Sequence, residues 1–128
     1  MADEKHDFRG VYPILSTPFL SDGSLDVTSL RCLIEFQRSA GFSFPSVLVK
    51  IQQLFESGDV AGARQLFDRM ASLFRYEFQL KLGLPFRKHM YQRRGVFETT
   101  FVRAPSVMLD QKTIDEFEGI IERVGLSL

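Results

Sequence analysis

The chain has 128 residues, 45% hydrophobic and 25% charged, and its 16 basic and 16 acidic side chains leave a formal net charge of zero. That length suits one domain with a modest core. The charge balance argues against a dedicated nucleic-acid or membrane-surface binder, because both need a net basic face. The one cysteine, Cys32, cannot form an internal disulfide. Residues 1–9 lack the apolar stretch of a signal peptide, and no run approaches transmembrane length, so a cytoplasmic location is expected.

Taken in chain order, Gly10-Val11-Tyr12-Pro13-Ile14-Leu15 is short, apolar and β-rich, the pattern of a buried strand. It runs into Ser16-Thr17-Pro18-Phe19, where the proline ends strand pairing. Ser21-Asp22-Gly23-Ser24 reads as a turn. Asp26 is a good N-cap for a helix reaching about Ala40, with Val27, Leu30, Leu33, Ile34 and Phe36 on one face. From Phe42 onward the periodicity is helical. Pro45 suits the first turn of a helix whose apolar residues are Val47, Leu48, Ile51, Leu54 and Phe55, with Gly58 as its stop.

Asp59 caps a long helix with an apolar face of Val60, Ala63, Leu66, Phe67, Met70, Leu73, Phe74 and Phe78. Gly83 and Pro85 punctuate it, and a short helix over about 85–94 ends at Gly95. Residues 96–107 are expected to be irregular, pinned by Pro105. The last helix has a capping-box pattern in Thr113 and Glu116, with Ile114, Phe117, Ile120, Ile121 and Val124 as its apolar face and Gly125 beyond. The expected content is five helices and one convincing strand. A strand apolar on both faces wants strand neighbours, and the chain offers almost none.

The segment from Phe8 to Phe19, followed by Asp22-Gly23-Ser24-Leu25-Asp26, resembles the first strand and first βα loop of the dihydrodipicolinate synthase/N-acetylneuraminate lyase family. The shared pattern is a G-V-x-P-x-x-x-T-P-F strand, a D-G turn, an aspartate cap and a helix ending in Ala40-Gly41. The second half resembles the far C-terminus of that family. Gly41-Phe42-Ser43-Phe44-Pro45 is similar to the loop after the eighth barrel strand. Phe55-Glu56-Ser57-Gly58-Asp59 with Ala63 and Leu66-Phe67 is similar to a helix junction. Lys81-Leu82-Gly83, Arg94-Gly95 and Arg103-Ala104-Pro105 match later family segments. Two blocks emerge, 1–41 as a first strand–helix unit and 42–128 as the last barrel helix with a C-terminal helical region.

The resemblance implies a fragment of a (β/α)8 TIM barrel, mostly α-helical as it stands with one or two short strands. A whole barrel takes about 250 residues, so strands two to seven are expected to be missing. With them would go the Thr-Thr loop, the tyrosine and the Schiff-base lysine of the family. It implies homo-oligomers and substrates of the pyruvate or 2-keto sugar acid type, with no cofactor and no metal. Thr17, at the end of the first strand, is the one substrate-binding candidate, and only in an intact barrel. Such a lysine must be desolvated to be neutral and nucleophilic. Lys5, Lys50, Lys81, Lys88 and Lys112 follow no buried strand and read as solvated charge. The chain alone is therefore expected to be inactive, the competing reading being a non-enzymatic helical interaction or oligomerisation module, alone or with an intact homologue.

Other motifs have ordinary explanations. Arg87, Lys88, His89, Arg93 and Arg94 form a basic run that reads as a solvated face or as inter-helix salt bridges, since no aromatic platform alternates with it. His6 and His89 lack a second ligand at metal spacing. Cys32 reads as a packing residue of the first helix. Gly58 to Met70 resembles a pentatricopeptide-repeat helix, but no second copy occurs, and such arrays need several.

Overall fold

The computed structural model describes residues 10–39 and 44–126. Five helices follow in order: α1 Val27–Arg38, α2 Phe44–Glu56, α3 Val60–Glu77, α4 Gly83–Arg93 and α5 Gln111–Val124. Asp26 caps α1 by accepting from Ser29 N at 2.9 Å, and Asp59 caps α3 by accepting from Gly62 N at 2.9 Å, as their positions predict. Each satisfies one of the amides that a helix start leaves without an intrahelical partner.

The cap of α5 falls elsewhere than expected. Asp110 accepts from Thr113 N at 2.8 Å, so the aspartate is the N-cap and Thr113 lies within the first turn. Glu116, the other half of the expected capping box, instead bonds to Tyr76. That bond adds to burial in pushing the Tyr76 hydroxyl up to about 12. At the far end of α5, Gly125 takes the left-handed conformation (φ 68°, ψ 36°) expected of a glycine stop.

Helix α3 is the hub, packing against α2, α4 and α5. The main core joins Val47 of α2, Met70, Leu73 and Phe74 of α3, Phe86 of α4, and Phe117, Ile120, Ile121 and Val124 of α5. Burying an aliphatic or phenyl side chain of this size is worth about 1.5–3 kcal/mol, so this cluster carries most of the fold. A turn over residues 78–82 lets α4 fold back on α3. Gly83 makes that approach possible, because a Cβ there would lie 2.0 Å from Glu77 O. This close packing is why α4 begins at Gly83 and not near Pro85. The faces of α1 and α3 are narrower than their periodicity suggests: Val27, Ile34, Val60, Phe67 and Phe78 are exposed.

A second cluster carries the N-terminal unit. Leu33 of α1 packs on Tyr91, Val96 and Phe97, with Phe36 beside them. Gln37 Nε2 donates to Tyr91 Oη at 2.9 Å, and Glu98 N donates to Ser29 Oγ at 3.1 Å. Residues 10–39 are thus fastened to α4 and the irregular segment after it. The junction between the two sequence blocks, residues 40–43, lies outside the described residues.

The expected strand is not formed. Residues 11–18 take no regular secondary structure and join no ladder, and among the described residues the single β-type contact is an isolated antiparallel bridge between Phe19 and Leu25. The expectation of one or two short strands is corrected accordingly. Tyr12, Pro13, Ile14 and Leu15 are exposed rather than buried. The physical reason is the one the composition foreshadows: a strand needs a neighbour for its amides and carbonyls, and the described residues offer none. The Asp22-Gly23 turn does form, with Gly23 at φ 82° and Asp22 Oδ1 accepting from Ser24 N at 2.8 Å. No described helix is long and apolar enough to cross a membrane.

Candidate functional site

The segment before α1 borders a cavity of about 280 Å3 through Val11, Tyr12, Pro13 and Ile14. Helices α1 to α5 each supply walls to it, among them Phe36, Leu48, Leu73, Phe86 and Phe117. The polar groups converge from the α3–α4 pair: Glu77, Arg87, Tyr91 and Arg94. A mostly apolar hollow with a few converging polar groups is the usual form of a small-molecule site.

Arg87 and Glu77 form an ion pair in the lining, Arg87 Nε donating to Glu77 Oε1 at 2.6 Å and Nη2 to the same oxygen. Burial raises the Glu77 carboxyl above its ordinary range, and the Arg87 guanidinium partly restores its charge. Arg87 Nη1 also reaches Ile14 O and Ser16 Oγ, both at a long 3.5 Å. Burial likewise raises the Tyr91 hydroxyl and lowers the Arg94 guanidinium, whose Cζ lies 5.4 Å from the Phe36 ring centroid. With its one carboxylate held by arginine, this wall can orient an occupant, and among the described residues its lining holds no lysine, cysteine or serine.

Thr17 is exposed and does not line the cavity. Of the described lysines, Lys50, Lys81 and Lys112 are exposed, in keeping with solvated charge. Lys88 is not: only 1% of its surface is accessible, so its reading as surface charge is corrected. Its amine donates to Phe101 O at 2.7 Å and lies 4.6 Å from the Phe19 ring centroid. Desolvation first, then the charge of Arg103, lowers its pKa. Lys88 does not line the cavity either. Position 88 reaches the interior because residues 96–105 and the loop before α1 close over it, an event no local pattern announces.

The rest of the basic run divides as its second reading expects. Arg87 bridges α4 to α3, while Arg93 and His89 both meet Glu118 on α5, His89 Nε2 at 3.0 Å. Cys32 is exposed rather than packed, because α1 turns Leu33, its neighbour, to the core. The residues that sequence reasoning missed are Glu77 and Tyr91. Their convergence depends on the α3–α4 hairpin, and the only trace in the sequence is Gly83 at its turn.

The fold is similar to that of dihydrodipicolinate synthase from Rhodopseudomonas palustris, with a TM-score of 0.60 and 27% sequence identity. The match covers 74% of this chain and 34% of that one. The chain thus spans about a third of the length of the solved structure it matches. No protein-family model and no curated protein matches the sequence. The likeness relates this helical chain, at the level of fold, to a dihydrodipicolinate synthase barrel.

Proposed function

We propose that this chain is a portion of a Schiff-base lyase scaffold, the first strand–helix unit packed on a C-terminal helical region, and that it has no lyase activity by itself. The structural likeness to about a third of a dihydrodipicolinate synthase carries this reading. In such a scaffold the intact barrel acts on pyruvate or a 2-keto sugar acid through a lysine imine, and Thr17 would support its pocket. The placement of the lysines here supports inactivity. Among the described residues the buried lysine, Lys88, donates to a carbonyl outside the cavity, and an amine so engaged cannot attack a keto group.

The test is incubation with pyruvate and sodium borohydride, followed by intact-mass measurement. An unmodified mass is expected, and one stable adduct on a single lysine overturns the inactivity. The internal deletion belongs to the same proposal. Sequencing the transcript across residues 40–43 tests it, with coding sequence for barrel strands at that junction as the expected result.

A second reading, a helical interaction module, is favoured by a specific observation: large apolar side chains stand exposed around the mouth of the cavity.

A further inference from the structure

Residues 18–29 close on themselves through local bonds. Asp26 N donates to Pro18 O at 3.1 Å and Leu20 N to Ser24 O at 2.9 Å, and the Phe19–Leu25 bridge ties the two arms of the turn. Asp26 then caps α1 through Ser29 N. Loop and helix start are one preorganised piece, so little remains to be ordered when it docks.

That piece does not dock on its neighbour in the chain. Among the described residues α1 makes no close backbone approach to α2 or to any other helix. Its bonds go to α4 and the segment after it: Gln37 Nε2 donates to Tyr91 Oη, Glu98 N to Ser29 Oγ, and Thr99 Oγ1 to Phe19 O. Lys88 and Arg103 both lie against the Phe19 ring. Leu33, fully buried, packs on Tyr91, Val96 and Phe97. Aromatic anchors held by cations and flanked by buried apolar contacts are the make-up of the energetic centre of a protein–protein interface. The covalent connection of α1 therefore leads to α2, whereas its non-covalent joint is made elsewhere.

We propose that α4 and residues 96–103 form a recognition surface for a Thr-Pro-Phe loop followed by an aspartate-capped helix, and that this surface holds residues 10–39 without the covalent connection to α2. The partner it fits in trans is a separate polypeptide that carries such a loop–helix unit. The proposal does not rest on the lyase reading, because the borohydride result leaves it untouched.

The test uses the full chain with a flexible insert carrying one protease site between Ala40 and Gly41, cut to completion under native conditions. At about 10 μM the cut chain is expected to sediment as one particle. Its helical signal should be kept, since a helix the length of α1 is marginal alone. Phe19→Ala should weaken the association of the cut pieces about tenfold or more. Thr99→Val, which removes the donor to Phe19 O at nearly equal volume, should weaken it in the same direction. Uncut, both variants should keep the helical content of the parent, because the connection still supplies a high local concentration. Leu80→Asp is the control, at an 88% exposed position on the turn between α3 and α4, and its cut pieces should associate like the parent's. Parent pieces that separate on cutting overturn the proposal. Undiminished association in both Phe19→Ala and Thr99→Val, or equal loss with Leu80→Asp, overturns it as well.

Discussion

Lys88 Nζ lies 4.6 Å from the centroid of the Phe19 ring, and the Arg103 guanidinium lies 4.1 Å from the centroid of the same ring. An aromatic carried by the loop before α1 is thus held by two cations, one from α4 and one from the irregular segment that precedes α5. Neighbouring bonds reinforce the joint. Thr99 Oγ1 donates to Phe19 O at 2.6 Å, and Arg103 Nη2 donates to Gly23 O at 2.9 Å. Lysine can be buried this way because its stem is apolar and its ammonium finds a carbonyl at the end.

Lys88→Met keeps most of the stem but leaves Phe101 O without its donor and Phe19 with one cation fewer. A loss of about 1–3 kcal/mol of unfolding free energy is expected in urea titrations. A loss under about 0.5 kcal/mol, the range of ordinary surface changes, would show the joint to be dispensable. The pH dependence has a definite sign. The folded pKa of Lys88 lies below its ordinary 10.5. As pH rises through that interval, the unfolded chain holds the proton and the folded one has released it. Folded stability from this group therefore rises with pH, and the difference between parent and variant should grow as pH approaches 10.5.

Glu77→Ala strips Arg87 of its carboxylate partner in the cavity lining. The side chains of Arg87 and Glu77 are 29% and 14% accessible, so the orphaned charge is only partly hydrated. The expected loss is about 1–3 kcal/mol, below that of a fully buried pair. The double variant Glu77→Leu/Arg87→Met should recover most of it, since it removes both charges and keeps the volume. A double variant as unstable as the single one would count against this account.

His89 Nε2 donates to Glu118 Oε1 at 3.0 Å, yet its pKa is lowered from 6.5, by burial first and by the charge of Arg93 second. The direction follows from the geometry, because Arg93 already holds the other oxygen of Glu118. Below pH 6.5 the unfolded chain takes up a proton that the folded chain refuses. Stability from this group is thus present above 6.5 and lost as pH falls through the lowered folded value. Relative to His89→Gln, the parent should lose more stability on acidification through that interval, as read by thermal unfolding. Equal slopes for the two proteins would disprove it.

Asp110→Ala should cost about 1 kcal/mol, the usual value of an N-cap, while Thr113→Ala should lose no capping bond. Helical content and urea midpoints of the two variants distinguish the observed cap from the capping box that the sequence suggests. The reverse ranking would restore the box.

Much of the helical layout is legible along the chain, because its signals are local. Asp26 and Asp59 each lie three residues before the amide they cap, Gly58 and Gly125 take the positive φ that stops a helix, and Phe117, Ile120, Ile121 and Val124 recur at helical spacing. The Asp22-Gly23 turn is likewise legible, and it forms with Gly23 at φ 82°. The strand itself is not legible in the same way. A strand is completed by partners elsewhere in sequence, so residues 11–15 carry the composition of one without becoming one here.

The sequence by itself determined most helix starts and stops, the cap of α5 and the start of α4 excepted, since caps and periodicity act within a turn or two. Only the tertiary structure decided the fate of charges and exposed surface. Lys88 is buried because Phe19 and Phe101 close over it, Cys32 is exposed because Leu33 takes the inward position on α1, and Glu77 meets Arg87 because Gly83 lets α4 fold back on α3. Each outcome depends on which segments meet across tens of residues, and neither propensity nor periodicity carries that information.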